Sequence, residues 1–204
     1  MKGRKGKMMV RTLLLPLSMA LMLGACVNLG GKAPPSMLVL TPDKSVTEGT
    51  MRSGAAKDAL VVLIPEVPRK LETTRVPVQI NGSNIAYLKD AVWADKPARL
   101  MQMLLMEIIA ANNGKLVLNE VDAGGKAEHY RAGTLLEFGI DASANQAVVV
   151  YDAVRLQNGK AIEKKRFEAR QNVAEVKAGA AGSALNDAAN KVATDIAAWL
   201  AGAS

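Results

Sequence analysis

The stretch AGTLLEFGIDASANQAVVVYDAVRLQNGKAIEKKRFEARQ, residues 132–171, decides the fold. Over residues 132–141 apolar side chains alternate with others, as in a strand with one buried face. Residues 146–156 and 160–171 have the composition of two further strands, joined by Asn158-Gly159, a pair favoured in tight hairpin turns. The stretch therefore predicts a three-stranded antiparallel meander. The predicted buried face of its first strand consists of Thr134, Leu136, Phe138 and Ile140.

Further strands are predicted upstream of this meander. Residues 59–64 form a continuous apolar run that ends at Pro65, which is typical of a strand buried on both faces. Residues 76–80 and 84–88 flank Asn81-Gly82 and predict a second hairpin, whose turn would use a positive backbone φ. Shorter strands are predicted at 37–40 and 116–121, loops at 42–57 and 122–127.

Two long helices complete the predicted fold. The first covers residues 97–112, with Asp95 as a candidate cap, a proline in its first turn and Asn113-Gly114 at its end. The second covers 184–200, capped by Ser183 and followed by Gly202. Its apolar stripe consists of Leu185, Ala188, Val192, Ile196 and Trp199. Two helices on a mixed, mostly antiparallel sheet predict an α/β (α+β) sandwich.

The amino-terminal region predicts a lipoprotein signal. Residues 2–11 are basic, and the apolar run over 12–23 is too short to span a bilayer. The run ends in Leu23-Gly24-Ala25-Cys26, which resembles a bacterial lipobox and contains the single cysteine of the chain. We expect cleavage between Ala25 and Cys26, with a covalent diacylglyceryl group and an N-acyl chain on Cys26. The predicted organisation is a signal peptide at 1–25, a flexible lipid tether at 26–36 and one domain at 37–204.

The anchor predicts where the protein resides. It would hold the protein on a membrane of the Gram-negative cell envelope, facing the periplasm, and Val27 in place of an aspartate favours the outer membrane. The net charge of +7 does not indicate nucleic-acid binding. Five of the 26 basic residues and none of the acidic ones lie in residues 1–25, which leaves 21 basic against 19 acidic residues. A periplasmic protein would not meet nucleic acid.

The residue types that support catalysis or cofactor binding are scarce. One cysteine and one histidine cannot form a zinc site of Cys and His ligands, and we expect neither a metal nor a cofactor. His129 is not accompanied by a nucleophilic Gly-x-Ser-x-Gly motif, so it is interpreted as a surface residue. Gly124-Gly125-Lys126 is too short for a phosphate-binding loop. Lys164-Lys165-Arg166 could contact phospholipid headgroups, but alternation along a strand favours a solvated run.

The first helix has more apolar residues than one buried stripe requires. The excess needs a second apolar surface, which could be a core neighbour, another protein, a second copy of this chain or acyl chains. We predict a candidate partner or oligomer face made of six residues of this helix: Leu100, Met101, Met103, Leu104, Met106 and Ile108.

Several segments together resemble a known family. They are residues 65–78, 85–93, 97–100, 136–138, 148–153, 167–170 and 184–190 with Trp199. In their order, and with the lipobox, they resemble the ABC-type transport auxiliary lipoprotein family, to which the paraquat-inducible protein C lipoprotein belongs. The resemblance implies a sandwich similar to the amino-terminal domain of TolB, and no enzymatic activity. It implies that the protein acts together with an ABC permease, its ATPase and an MCE-domain protein. Such a system moves lipids or other hydrophobic molecules between the membranes.

Two alternatives stay open at this point. The same anchor and fold could serve an envelope assembly lipoprotein that supports an outer-membrane complex or a cell-wall synthase. A periplasmic hydrolase would have to rely on His129. The resemblance favours the non-catalytic auxiliary subunit over both.

Overall fold

A computed structural model describes residues 37–157 and 160–202 of the chain. The described residues belong to one compact unit. The predicted signal peptide, Cys26, the tether and the Asn158-Gly159 turn lie outside the described residues. The fold is therefore reported for the predicted domain alone.

The described chain contains seven strands and three α-helices. In chain order they are β1 (Leu60–Val62), β2 (Arg75–Asn81), β3 (Asn84–Val92), α1 (Pro97–Asn113), β4 (Val117–Leu118), α2 (Glu120–Ala123), β5 (His129–Asp141), β6 (Gln146–Gln157), β7 (Lys160–Asn172) and α3 (Ala178–Ala201). Short 3₁₀ turns cover Ala56–Asp58 and Arg69–Leu71. The predicted meander, the second hairpin and the two long helices are all present.

The sheet is organised around β5, its longest central strand. One edge of β5 pairs with β6, which pairs with β7, and both pairings are antiparallel. The other edge carries β1 beside residues 129–131 and β2 beside residues 140–141, both parallel to β5. β3 and β4 extend the sheet beyond β2 and β1. The predicted mixed, mostly antiparallel α/β sandwich is confirmed.

The main core lies between the sheet and the two long helices. α1 and α3 pack against each other and against the sheet face that carries Leu60, Val62 and Phe138. Trp93 is 1% exposed and its ring lies 5.0 Å from that of Phe138. The long apolar stripes of both helices are buried here, which is where most helical stability in a folded domain arises.

β1 is buried on both faces, as predicted from its unbroken apolar sequence. Leu60 and Val62 face the main core, while Val61 points to the opposite face of the sheet. There Val61 packs with Ala123 and Ala127, at the end of α2 and in the loop that follows it. α2 occupies part of the segment that was predicted as strand and loop, so the prediction of a strand over 116–121 was wrong beyond Leu118. Asn119 caps α2 by accepting a hydrogen bond from the Asp122 N–H.

A β-bulge corrects the predicted buried face of β5. Leu135 pairs with Tyr151 and Glu137 with Val150, so Leu136 is the extra residue. The bulge shifts the alternation by one position, because two residues of β5 face one residue of β6. Phe138 and Ile140 face the core as predicted. Before the bulge it is Leu135, fully buried, that faces the core instead of Thr134 and Leu136.

The turn between β2 and β3 also differs from its prediction. Asn81 is the last residue of β2 and pairs with Asn84, so Gly82-Ser83 form the turn. Gly82 does not have the positive φ that the sequence pair suggested. The Asn81 side chain closes the turn instead, because its Oδ1 accepts hydrogen bonds from the N–H groups of Ser83 and Asn84 at 3.0 and 3.1 Å.

The helix boundaries agree with the sequence at three ends of four. α1 begins at Pro97 and ends before Gly114, which has a left-handed φ of 64°. Its cap position is occupied by Lys96, without a side-chain hydrogen bond, so the prediction of Asp95 as the cap was wrong. α3 ends before Gly202 but begins at Ala178, so Ser183 lies inside the helix and is not its cap. Alanines on both sides of Gly179 and Gly182 favour helix, which allows α3 to begin six residues earlier than predicted. No helix in the described ranges is long and apolar enough to cross a membrane.

Candidate functional site

The predicted partner face on α1 is largely inside the protein. Leu100, Met101, Leu104 and Ile108 are at most 5% exposed and belong to the main core. Met106 is partly buried against the same core, and Met103 alone is exposed, at 50%. The prediction of a partner face was therefore wrong for the four buried residues.

The second apolar surface that α1 required is α3. The sheet covers one side of α1 and α3 covers another, so two apolar stripes are buried within the same chain. Even Gln102 is buried, and its Nε2 donates to the Val62 carbonyl oxygen at 2.8 Å. Of the alternatives that the sequence left open, the core neighbour accounts for the excess of apolar residues.

The segment that enters the domain is fastened across both helices. We call residues 38–52 the N-terminal strap. The predicted strand at 37–40 is only a single bridge, in which the Leu38 N–H donates to the Val92 carbonyl and the Leu38 carbonyl accepts from the Ala94 N–H, each at 2.8 Å. Leu38 also lies against Gly182, where a Cβ would come within 2.6 Å of a Leu38 methyl group.

Two asparagines of α3 hold the next part of the strap. Asn186 Oδ1 accepts from the Thr41 N–H at 2.8 Å. Asn190 is 1% exposed; its Oδ1 accepts from the Asp43 N–H at 2.8 Å and its Nδ2 donates to the Thr41 carbonyl at 2.9 Å. Residues 186 and 190 are one helical turn apart, so both amides project on the same side of α3. They replace the strand pairing that this part of the backbone lacks.

α1 holds the rest of the strap. Glu107 Oε1 accepts from the Val46 N–H at 2.6 Å, and Asn112 Oδ1 accepts from Lys44 Nζ at 2.8 Å. At the end of the strap, Arg52 donates to the carbonyl oxygens of Ala110 and Lys115, where α1 ends. A cation at the carboxyl end of a helix is favourable because the last carbonyls have no intrahelical partners. The strap therefore fixes the chain that enters the domain to the layer formed by α1 and α3.

The basic run on β7 is divided between the two faces of the sheet. Lys164 and Arg166 both contact the Asp152 carboxylate on β6, at 3.1 and 2.6 Å. Hydrogen bonds from Arg166 lower the pKa of Asp152 to about 2. Lys165 points to the other face, 5.1 Å from the centre of the Phe167 ring. The three cations do not form one patch, which agrees with the interpretation as a solvated run.

His129 lines a cavity of about 400 Å³ at the end of the sheet where β1 and β5 begin. Its walls include Asp58 from the 3₁₀ turn, Lys115 from the loop after α1, and Arg131 two residues further along β5. Arg131 is partly buried, and its pKa is lowered to about 10, first by burial and second by the charge of Arg155. The sequence did not indicate this cavity, because its polar residues come from three separate parts of the chain, 53–60, 114–116 and 129–131.

The potential metal ligands among the described side chains are dispersed. Within residues 37–157 and 160–202, no group of three or more His, Cys, Asp or Glu side chains is placed to hold a metal ion. The asparagines and Glu107 of the strap contacts were not selected as functional from the sequence. In the sequence they are polar residues at helical spacing, and no pattern indicates which backbone groups they bind.

Comparison with known proteins identifies a family. The family model described as ABC-type transport auxiliary lipoprotein component matches residues 40–197. Among solved structures, a protein of the DUF330 family from Xanthomonas campestris is 15% identical, with a TM-score of 0.60 over 82% of this chain and 92% of that one. A second crystal structure, of an uncharacterized protein, is 14% identical, with a TM-score of 0.62 over 71% and 92%. These structures show similarity of fold alone. The search among curated proteins found no match.

Proposed function

Since this chain belongs to the ABC-type transport auxiliary lipoprotein family, we propose that it is the lipid-tethered, non-catalytic auxiliary subunit of an MCE-type ABC transporter. The system would comprise an MCE-domain protein, a permease and its ATPase. It would move lipids or other hydrophobic molecules between the membranes of a Gram-negative bacterium. The auxiliary role in ABC-type transport follows from the family; the MCE partner, the cargo and the outer-membrane position are the proposal.

The observation that carries the proposal is the match over residues 40–197, which includes most of the strap, α1, most of α3 and the whole sheet. The lipobox supports the membrane tether independently, because its Cys26 is the one cysteine of the chain. A hydrolase would have to rely on His129, which lines the cavity at the start of β5 and is not accompanied by a nucleophilic Gly-x-Ser-x-Gly motif.

The strap supports the idea of a tethered docking domain. Cys26 precedes Leu38 by twelve residues, a length of chain that reaches at most about 40 Å when fully extended. The strap fastens the end of this tether across α1 and α3. A lipid on Cys26 would thus keep the domain close to one membrane.

Site-specific photocrosslinking in native membranes tests the proposal. A photoreactive residue is placed at Met103, Ile85 or Val121, three apolar residues that are 43% to 87% exposed on α1, the β2–β3 hairpin and α2. Crosslinked products are purified with the intact lipoprotein and read by mass spectrometry. We expect an MCE-domain protein or the permease from at least one position, and its loss in the Cys26→Ser variant.

The control is a photoreactive residue at Leu104, which is buried and should give no intermolecular product. Recovery of cell-wall or outer-membrane assembly factors without transporter components would contradict the proposal. That outcome would favour the envelope assembly lipoprotein.

A further inference from the structure

The chain that enters the domain carries two apolar side chains on its outer side. Leu38 and Leu40 pack against the main core. Side chains alternate along an extended backbone, so Met37 and Val39 point away from that core. Met37 is 60% exposed and Val39 is 56% exposed. The two form a small apolar pair at the surface, directly where the strap begins.

The direction of this pair is fixed by the residue between its two members. The Leu38 N–H donates to the Val92 carbonyl, and the Leu38 carbonyl accepts from the Ala94 N–H, each at 2.8 Å. The Leu38 side chain lies against Gly182 of α3. Met37 and Val39 could turn inward only if these contacts were broken. The pair is therefore presented to whatever lies outside this side of the domain.

The outward residues change from apolar to polar along the strap. After Met37 and Val39 the next outward positions are Thr41 and Asp43, which are exposed. Their N–H groups are bound by asparagine side chains of α3, so the backbone stays fastened over this stretch. The apolar residues are thus at the end of the strap that is nearest to Cys26 in the chain. This order is what a segment would have if its first residues touched a membrane and the next ones faced water.

The position of the pair in the chain places it within reach of the lipid anchor. Met37 is the eleventh residue after Cys26, and eleven residues span at most about 40 Å. A contact between two linked groups is intramolecular, so even a weak apolar contact with the anchoring membrane becomes populated. Apolar side chains gain free energy when they leave water for the boundary between headgroups and acyl chains.

We propose that Met37 and Val39 insert into the surface of the phospholipid bilayer that holds the lipid of Cys26. The contact turns the strap side of the domain toward that membrane. α2 covers the opposite face of the sheet, where Val61 packs with Ala123, and would lie away from the bilayer. The inference rests on the lipid anchor of the proposed function and adds the orientation of the domain to it.

Spin labelling of the purified lipoprotein in vesicles tests this orientation. Acylation leaves no free thiol on Cys26, the one cysteine of the chain, so an introduced cysteine is labelled alone. The variants Val39→Cys and Val121→Cys receive a nitroxide and are reconstituted into vesicles of phosphatidylethanolamine and phosphatidylglycerol. The ratio of collisions with oxygen to collisions with a water-soluble nickel complex gives the depth of the label, because local steric exposure cancels in this ratio. Val121 is the matched control, since it is a valine, 87% exposed, on α2.

We expect the label at position 39 to lie about 5 to 10 Å deep in the boundary between headgroups and acyl chains, and the label at position 121 to lie in water. Met37→Asp should move the label at position 39 toward water, because burial of a carboxylate is costly. Ile80→Asp is its control. It replaces an apolar residue of β2 that is 47% exposed, and it should leave the depth at position 39 unchanged.

Three results would overturn the inference. The first is equal depth of the labels at positions 39 and 121. The second is low access of both oxygen and nickel to position 39, which would mean that protein, such as a second copy of this chain, covers the pair. The third is equal depth at position 39 in the Met37→Asp and Ile80→Asp variants.

Palmitate labelling of the same protein separates this inference from the proposed function. Palmitate on Cys26 together with a label in water at position 39 would contradict the orientation alone. A wild type without palmitate would contradict both the tether and the orientation that depends on it.

Discussion

At the scale of single residues, Asn190 is the most constrained polar side chain of the strap contacts. It is buried in α3, yet both ends of its amide are bonded to backbone groups of Thr41 and Asp43, which lie about 150 positions earlier in the chain. No residue near Asn190 in the sequence indicates these hydrogen-bond partners. Asparagine inside a helix would otherwise be mildly unfavourable, because its side chain competes for backbone hydrogen bonds.

The substitution Asn190→Ala should release the strap. Loss of three side-chain hydrogen bonds, two of them to the strap, and of a buried side chain is expected to reduce the free energy of unfolding by about 1 to 3 kcal/mol. Amide hydrogen exchange at Asp43 should become faster, and urea denaturation gives the stability. Asn172→Ala, at an exposed position with one side-chain contact, serves as the control and should cost less than about 0.5 kcal/mol. Unchanged exchange at Asp43 would contradict this role of Asn190.

Asp152 is a second residue whose contacts predict a measurable effect, here on the pH dependence of stability. Hydrogen bonds from Arg166, then from Lys164, hold its pKa at about 2, below the ordinary value of about 3.9. A carboxyl whose folded pKa is lowered contributes stability above its unfolded pKa and loses this contribution as the pH falls toward the folded pKa.

The advantage of the wild type over Asp152→Asn should therefore be constant above about pH 5 and should fade between about pH 4 and pH 2. Its size should be about 1 kcal/mol, because Lys164 and Arg166 are largely exposed and solvent screens the pair. Denaturant unfolding at a series of pH values measures it. Glu175→Gln removes a carboxylate from an exposed ion pair and should show little difference at any pH. A stability difference for Asp152→Asn that does not change with pH would argue against this pairing.

At the scale of elements, α1 shows how much the apolar pattern of one helix predicts about its packing. Its residues predicted a second apolar surface correctly, but the identity of that surface depended on α3, about 65 residues further along the chain. Helix periodicity reports how wide an apolar face is and carries no information on what covers it.

Leu104 and Met103 are adjacent in α1, and the first faces the core while the second is half exposed, so their substitutions should differ in cost. Leu104→Ala should reduce the free energy of unfolding by about 2 to 5 kcal/mol, because Leu104 is 3% exposed among packed side chains. Met103→Ala should cost under about 1 kcal/mol, because half of Met103 is exposed. Urea denaturation of both variants gives the comparison. Equal costs would mean that α1 packs differently from the arrangement described here.

At the scale of the whole molecule, the anchor and the folded domain are separate contributions to function. Residues 1–25 and Cys26 predict export and lipidation, whereas the match over residues 40–197 concerns the domain. With four residues of the predicted face inside the core, α1 no longer argues for a homo-oligomer. Self-association stays a prediction that light scattering on the intact lipoprotein can test.

The Cys26→Ser variant should lose its membrane attachment while it keeps its fold. Acyl chains contribute about 0.8 kcal/mol per buried methylene group, so two or three chains on Cys26 would hold the wild type firmly. We expect metabolic labelling with palmitate in the wild type and none in the variant, together with a shift of the variant out of the membrane fraction. Ala25→Asp should block processing and is a second test of the lipobox. Palmitate on the Cys26→Ser protein would show that the anchor lies elsewhere.

Local patterns in the sequence were sufficient for the meander, the second hairpin, β1 and the two long helices, but not for α2. The unbroken apolar run of β1, the alternation in the meander and the apolar stripes of α1 and α3 predicted the sandwich, because strand and helix periodicities depend on neighbours within one or two turns. The bulge at Leu136, the cover that α3 provides for α1, the strap on Asn190 and the cavity at His129 were decided by the tertiary structure alone. Each of these depends on contacts between residues far apart in the chain, such as Asp43 and Asn190. Only folding brings such residues together, so no local pattern records which backbone group a distant side chain will meet.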